Sequence, residues 1–298
     1  MTEKPKTSAA PVRLAAPWPA LPETGVLVMG IINVTPDSFS DGGQFESHAA
    51  AIEQARRLAA EGADILDIGG ESTRPGAATV SLAAELDRIM PVIRALAADA
   101  DLPVLSIDSY KAETTRQALA AGARIANDVW GLQREPALAE VAREAGAGLC
   151  LMHNRETRDP EIDIVEDMKR FFARSLGIAA RAGILPERIV LDPGIGFGKT
   201  LEQNLAAIRA ISQIKAEFGH AVLLGVSRKS FLGLLTDRPV TERLPGSIAA
   251  GAYGMLAGAD ILRVHDVAPH RDALRVLAAL AQGGMPPFPL SATPRSRA

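Results

Sequence analysis

Eight short apolar segments, each followed by a segment of helical periodicity, most constrain how this chain can fold. The apolar segments span residues 26–34, 64–70, 103–108, 124–129, 148–153, 189–194, 221–227 and 261–265. Parallel strands read as near-continuous apolar runs when helices cover one face of the sheet and packed side chains fill the other. The pattern therefore predicts an α/β fold, a single (β/α)8 TIM barrel. The alternative is a doubly wound open sheet, but NVTPDSFSDGG after the first strand lacks the glycine fingerprint of that fold.

The chain length suits one barrel with an extension at each end. The chain has 298 residues, whereas such barrels form one domain of about 250 residues. Residues 1–22 and 284–298 are rich in proline, alanine and serine, and we predict that both are flexible, disordered extensions. The catalytic barrel is then predicted to span residues 23–283.

Charge, hydropathy and cysteine content argue against several classes of protein. The 32 basic and 35 acidic residues give a net charge of -3, which is not the footprint of a nucleic-acid binder. No apolar stretch reaches the roughly 18 residues of a membrane span, and the N-terminal segment lacks the apolar core of a secretory signal. The single cysteine, Cys150, indicates a reducing compartment and a small buried side chain. We predict a cytoplasmic protein.

The segment LDPGIGFGKT, residues 191–200, nearly matches a phosphate-binding loop. That motif needs a glycine, four residues, and then glycine, lysine and serine or threonine. Gly198, Lys199 and Thr200 fit, but Pro193 occupies the first glycine position and has no amide hydrogen to donate. We therefore interpret Asp192 as the functional residue of this segment, with Lys199 peripheral.

Polar side chains end almost every predicted strand, where barrels of this class carry their catalytic residues. Asn127 can donate and accept hydrogen bonds, whereas Asp108 and Asp192 only accept. Together they suit a flat heterocycle that presents amino and ring N–H donors. Two alternatives stay open: either aspartate can cap the following helix, or the two carboxylates can share a proton for acid–base chemistry.

A second group of strand-end residues suits an anion. Arg263 and His265 are two residues apart on one strand and so point to the same side. Arg74 and Lys229 add cations near the place where barrels often bind phosphate. Asn33 offers an oxygen ligand for Mg²⁺, although it is also a residue type that forms turns. The long polar loops after the first two strands are predicted to be mobile lids.

Eight segments, in barrel order, resemble motifs of the dihydropteroate synthase family. They are MGIINVTPDSFSDGG, DIGGESTRPGA, SIDSYKAE, NDVWG, LMHN, LDPGIGFGKT, GVSRKSFLG and RVHDV. The resemblance covers about residues 26–282, and its departures are slight: Ser109 stands where threonine is common. It implies a barrel that condenses 6-hydroxymethyl-7,8-dihydropterin diphosphate with 4-aminobenzoate. The products are 7,8-dihydropteroate, for folate biosynthesis, and pyrophosphate.

The resemblance also implies roles for individual residues. The catalytic set is Asp41, Asp108, Asp192 and Lys229. The pterin-binding set is Asp108, Asn127, Met152, Asp192, Phe197, Lys229 and Arg263. The diphosphate-binding set is Asn33, Thr73, Arg74, Arg263 and His265, with Asn33 as the ligand of a Mg²⁺ cofactor. The 4-aminobenzoate-binding set is Phe39, Thr73, Pro75 and Ser227, beside Asp41.

The implied chemistry needs no side-chain nucleophile. The diphosphate leaves the pterin methylene before the amine attacks, and Asp108 and Asp192 favour the positive charge left on the ring. A Schiff-base lysine is the rival interpretation of Lys229.

Two other functions stay open: a pterin-binding methyltransferase with a corrinoid partner, and a non-catalytic pterin-binding paralogue. The resemblance further implies a homodimer formed through late helices and sensitivity to sulfonamides, since neither of the first two loops carries the insertion of resistant forms.

Overall fold

In the computed structural model, eight parallel strands pair in sequence order and close into a barrel. The structure describes residues 13–34, 43–72 and 79–282. The strands are β1 (Leu27–Asn33), β2 (Ile65–Gly69), β3 (Val104–Asp108), β4 (Ile125–Asp128), β5 (Gly148–Met152), β6 (Ile189–Asp192), β7 (Ala221–Leu224) and β8 (Ile261–Val264). β8 pairs with β1 to close the sheet. All eight strands predicted from the sequence are present, and the TIM-barrel fold is confirmed.

Helices follow the strands and cover the outside of the barrel. They are α1 (Gly43–Ala60), α2 (Leu82–Ala97), α3 (Ala112–Ala120), α4 (Ala137–Glu144), α5 (Ile164–Ala182), α6 (Leu201–Arg209), α7 (Ile211–Phe218), α8 (Ser230–Thr236), α9 (Leu244–Leu256) and α10 (Val267–Gln282). The sequence predicted one helix after β6 that ends at Gly219. Instead, Ala210 divides it into α6 and α7, and Gly219 ends α7 in the left-handed conformation. Within the described ranges, no helix is long and apolar enough to cross a membrane.

The alternation of side chains along each strand creates two cores. One lies between the sheet and the helices, and the other fills the inside of the barrel. The inner core comprises Trp18, Leu27, Met29, Ile65, Ile125, Cys150, Val190, Ala221, Leu223 and Ile261. Cys150 is thus a buried apolar side chain, as predicted. Because alternate residues share a face, the inward positions nearer the strand ends are Asn33, Asp67, Asp108, Asn127, Met152, Asp192 and Arg263.

The N-terminal end of the barrel is closed by residues that the sequence analysis assigned to a flexible extension. Trp18 is only 4% exposed, and its indole Nε1 donates a hydrogen bond to Arg188 O at 2.8 Å. The backbone N–H of Ala15 donates to Glu187 O at 3.0 Å. The prediction of a flexible extension is therefore wrong for the segment around Ala15 and Trp18, which packs under the barrel. Residues 1–12 and 283–298 lie outside the described residues, and for residues 1–12 and 284–298 flexibility stays a prediction.

Candidate active site

Four adjacent strands place predicted pterin contacts at the C-terminal mouth of the barrel. Asp108 at the end of β3 lies opposite Asn127 of β4. Met152 at the end of β5 lies opposite Asp192 of β6. All four side chains are buried, with no more than 7% exposed. They form the floor of a candidate active site, because such barrels carry out their chemistry at this end.

The guanidinium of Arg263 joins two sides of this floor. Its Nε donates to Asp67 Oδ2 and its Nη2 to Asp108 Oδ2, both at 2.6 Å. Asn127 Nδ2 donates to the same Asp67 oxygen at 3.0 Å. The sequence analysis missed Asp67, although an aspartate two residues after the inward Ile65 is a signal for it. Fully buried, Asp67 orients two predicted pterin contacts, Asn127 and Arg263.

Burial controls the charges on the floor. It raises the pKa of Asp108 above its usual range, against the opposing effect of Arg263, and nearby Asp67 adds to the rise. Burial alone lowers the pKa of Arg263, but the carboxylates of Asp67 and Asp108 raise it above its usual range. Within the described part of the chain, Asp108 Oδ1 is buried without a hydrogen-bond partner. A buried acceptor of this kind needs a donor, and a ring N–H of a bound heterocycle can supply one.

Neither aspartate caps a helix, so the capping alternative for Asp108 and Asp192 is wrong. The residue that precedes α3 is Lys111, and α6 is capped by Thr200, whose hydroxyl accepts from Gln203 N. Asp192 Oδ1 instead accepts from Gly194 N at 2.7 Å, within the turn that follows β6. The two carboxylates lie on strands three places apart around the barrel, which favours separate contacts with a ligand over a shared proton.

Lys229 and Phe197 stand beside Asp192. The Lys229 ammonium lies 5.0 Å from the centre of the Phe197 ring, and it donates to the backbone oxygen of Ile195. Burial lowers the pKa of Lys229 to about 8, while Asp192 opposes that shift. This side of the pocket therefore combines an aromatic wall, a buried carboxylate and an ammonium group.

The turn after β7 is fixed by Arg228, which lies between Ser227 and Lys229. Its φ of +57° is in the left-handed region, which is uncommon for residues other than glycine. Its backbone N–H donates to Ser247 Oγ at 2.8 Å. Its guanidinium forms a bidentate ion pair with Asp266, the residue after His265. These contacts couple the loops after β7 and β8.

The predicted anion-binding residues end β1 and follow β8. Ser227 Oγ lies 3.0 Å from His265 Nδ1 and accepts from His265 N at 3.2 Å. Asn33 is half-buried at the end of β1, opposite Gly69 of β2. The remaining predicted residues lie outside the described residues, and their roles stay predictions: Phe39, Asp41, Thr73, Arg74 and Pro75.

The glycine-rich turn after β6 is not a phosphate cradle, but Lys199 is not peripheral either. Gly194, Gly196 and Gly198 all have positive φ, so the turn needs residues without a Cβ at these positions. Lys199 is only 1% exposed, and its ammonium contacts the backbone oxygen of Gly194 at 2.7 Å. The interpretation of Lys199 as peripheral is therefore wrong, because a motif does not reveal that a lysine is turned inward.

Residues 29–265 match the family model described as pterin binding enzyme. A dihydropteroate synthase of Clostridium beijerinckii is 46% identical over 250 residues, which cover 84% of this chain and 92% of that protein. The chain belongs to the dihydropteroate synthase family. A dihydropteroate synthase of Synechocystis sp. is 47% identical over 262 residues, covering 85% of this chain and 89% of that protein. The family membership expected from the eight sequence motifs is confirmed.

Solved structures of dihydropteroate synthases share this barrel. The Clostridium difficile enzyme in the presence of pteroic acid has a TM-score of 0.82 and 44% identity, covering 86% of this chain and 96% of that one. The Xanthomonas albilineans enzyme with 4-aminobenzoic acid has the same TM-score and identity, covering 88% and 94%. The Yersinia pestis enzyme in a sulfonamide drug complex is 40% identical, with a TM-score of 0.82, and the match covers 90% of this chain and 99% of that one.

Proposed function

We propose that this chain condenses 6-hydroxymethyl-7,8-dihydropterin diphosphate with 4-aminobenzoate to give 7,8-dihydropteroate and pyrophosphate. The observation that carries the proposal is the buried floor of acceptors at the barrel mouth, Asp108, Asn127 and Asp192, with Arg263 paired to Asp108. A pterin presents amino and ring N–H donors that complement such acceptors. Relatives solved with pteroic acid and with 4-aminobenzoic acid support the choice of ligands.

In the proposed reaction the diphosphate leaves first. The bond between the pterin methylene carbon and the diphosphate oxygen breaks, and its electron pair goes to the leaving group. The positive charge spreads over the dihydropterin ring, where the carboxylates of Asp108 and Asp192 favour it. The amine of 4-aminobenzoate then attacks the methylene carbon and loses a proton. Of the predicted diphosphate-binding residues that the structure describes, Arg263 is a cation and His265 a hydrogen-bonding group, and both would stabilise the negative charge of the leaving group.

We propose that Mg²⁺ is the cofactor and that Asn33 is its protein ligand. The side-chain oxygen of Asn33 is a hard ligand at the end of β1, and the residue is only half-buried, which fits an ion shared with a substrate phosphate. When bound, the ion would partly neutralise the diphosphate. Asn33 would hold the ion at the end of β1, where it would share the ion with the diphosphate.

The assay that tests this function contains the dihydropterin diphosphate, 4-aminobenzoate and Mg²⁺. We expect pyrophosphate and dihydropteroate to form in equal amounts, and a sulfonamide to block both by competing with 4-aminobenzoate. A methyltransferase would give neither product, and a non-catalytic binder would retain the pterin unchanged. Folded protein that binds the pterin but releases no pyrophosphate would overturn the proposal.

The substitution His265→Ala is expected to weaken binding of the dihydropterin diphosphate by about 1.5–3 kcal/mol, the range for hydrogen bonds to charged groups. Binding of a pterin without the diphosphate should change little, because His265 belongs to the predicted diphosphate set and its described contact is with Ser227 rather than with a predicted pterin contact. Calorimetric titration with both ligands measures the difference. His220→Ala is a matched control. His220 lies just before β7, at the opposite end of the barrel, and its Nδ1 is 3.2 Å from Pro186 O. Equal losses for both ligands would refute the assignment.

We propose a homodimer formed through the last three helices. Helix α9 packs against both α8 and α10. These three helices expose five large apolar side chains: Leu234, Leu235, Leu256, Val276 and Leu280. Sedimentation should give twice the monomer mass for the wild type and the monomer mass for Val276→Glu/Leu280→Glu. Leu185→Glu, which changes an exposed leucine before β6, is the control and should stay dimeric. A monomeric wild type would contradict the proposal.

We also propose that the protein works in the cytoplasm. Cys150 is a free thiol buried within the barrel, and burial raises its pKa well above the usual range. A lone unreactive thiol is compatible with a reducing compartment.

A further inference from the structure

Lys199 is a fully enclosed lysine for which the proposed reaction has no use. Its Nζ lies 2.7 Å from Gly194 O, 3.2 Å from Phe197 O and 2.8 Å from His153 Nδ1. An ammonium group has three hydrogens to donate, so these contacts can use all of them. Two of the acceptors belong to the turn between β6 and α6, and the third belongs to the residue after β5.

His153 passes the contact on to α5. Because Lys199 donates to Nδ1, Nε2 carries the ring hydrogen and donates to Asp167 Oδ2 at 3.2 Å. Arg155 Nη1 donates to the same carboxylate oxygen at 2.6 Å. Burial and, to a smaller extent, the nearby charge of Lys199 lower the pKa of His153 to about 4, against the opposing effect of Asp167. The neutral imidazole is thus held in one tautomer between Lys199 and Asp167.

The backbone of the turn is pressed against the end of β5. Gly194 has a φ of +63°, and a Cβ there would lie 1.9 Å from His153 O. A Cβ on Gly198 would lie 2.4 Å from the Arg155 Cβ. The turn is therefore packed closely against the end of β5, and the Lys199 ammonium joins the two, because it contacts two carbonyl groups of the turn and the His153 side chain.

The same turn carries two predicted pterin contacts. The N–H of Gly194 donates to Asp192 Oδ1 at 2.7 Å, while its carbonyl accepts from Lys199. The carbonyl of Phe197, whose ring forms the pocket wall, is a second acceptor of the Lys199 ammonium. Lys199 is thus linked to the Asp192 carboxylate and to the Phe197 ring through a single residue each.

The chemistry of the site also argues against Lys199 as a reacting group. Burial lowers the pKa of Lys199 to about 7, and the charged groups that face it are Asp192, Lys229, Asp167 and Arg155. Its Nζ is surrounded by three backbone carbonyl groups and an imidazole, and the residue is only 1% exposed, so a substrate carbon has no route to it. The remaining interpretation is that Lys199 acts on the ligand through the turn.

We propose that Lys199, supported by His153 and Asp167, is a positioning residue that fixes the turn carrying Asp192 and Phe197 for pterin binding. The inference rests on the proposed function, since it assumes that the pocket takes a pterin. It deepens that function by proposing that the contacts behind the pocket, from Lys199 through His153 to Asp167, help the pocket to recognise the heterocycle. The predicted diphosphate contacts Asn33 and His265 lie at the end of β1 and after β8, whereas these contacts join the end of β5, the turn after β6 and α5.

The test compares binding of 6-hydroxymethylpterin and of pyrophosphate to the full-length protein. Lys199→Met should weaken pterin binding at least about tenfold, the equivalent of one lost hydrogen bond of about 1.4 kcal/mol, and leave pyrophosphate binding unchanged. Lys215→Met is the matched control. Lys215 also donates to a carbonyl and a carboxylate, Gly258 O and Asp260, but at the opposite end of the barrel.

A lysine that served only general stability would lower both affinities together or neither, and either result would overturn the proposal. If Lys199→Met does not fold, Asp167→Ala decides the question, because it removes the outer support of His153 from a partly exposed site. It should lower pterin affinity alone. These measurements need no turnover, so their failure in a protein that still condenses its substrates would leave the proposed function intact. A wild type that binds no pterin would instead refute the proposed function.

Discussion

Replacing Asp192 with asparagine is expected to weaken pterin binding by roughly 2–5 kcal/mol, the cost of truncating one partner of a buried, hydrogen-bonded charge pair. The Asp192 side chain is only 4% exposed, and burial raises its pKa. Asparagine keeps the shape and one oxygen, so the hydrogen bond from Gly194 N can persist. The loss of pterin affinity therefore measures the effect of removing the charge rather than the hydrogen bond. Calorimetric titration with a pterin that lacks the diphosphate measures it.

Asp260→Asn is the control for this substitution. Asp260 accepts from Val222 N at 2.8 Å just before β8, at the N-terminal end of the barrel. It is thus a carboxylate with a comparable backbone contact and no access to the pocket. We expect Asp260→Asn to leave pterin affinity unchanged. Unchanged affinity in Asp192→Asn would remove Asp192 from the site.

Replacing Asp67 with alanine is expected to lower the free energy of unfolding by roughly 3–5 kcal/mol, the cost of removing one partner from a buried ion pair. Asp67 is fully buried, and its Oδ2 accepts from both Arg263 and Asn127. Arg263 would keep only Asp108, so a smaller share of its charge would be compensated. Urea unfolding measures the loss of stability. Pterin affinity should fall as well, because two contacts lose their orientation.

A double-mutant cycle tests whether the unpaired charge causes this loss. Asp67→Ala/Arg263→Met removes both partners, so the double variant should lose less stability than the sum of the two single variants. The charge pair of Arg57 and Glu61 at the C-terminal end of α1, where the Arg57 side chain is 61% exposed, offers a comparison expected to show almost no coupling. Additive losses at Asp67 and Arg263 would show that the two side chains act independently.

The strands and the direction of most site residues could be predicted because both depend on local periodicity. Once Ile125 and Val190 are recognised as inward, Asn127 and Asp192 two residues later must point the same way. Strand order then places them at one end of the barrel. The bounds differ only by a few residues, since the last residues of an apolar segment often belong to the loop.

The parts that could not be predicted depend on contacts between distant segments. Asp67 looks like an isolated polar residue in an apolar strand, and its partner Arg263 lies 196 residues away. Trp18 sits in a segment rich in proline and alanine, and its hydrogen-bond acceptor, Arg188 O, is 170 residues away. Lys199 was misread for the same reason, since its burial depends on His153, 46 residues earlier.

The order of bond breaking is tested most directly with a substrate whose oxygen between the methylene and the diphosphate carries a heavy-isotope label. The protein is incubated with this substrate and Mg²⁺ in the absence of 4-aminobenzoate. If the diphosphate leaves first, it can rotate and return through another oxygen, so the label should move to non-bridging positions. A label that stays in the bridging position, in protein that forms dihydropteroate once 4-aminobenzoate is added, would contradict departure before attack.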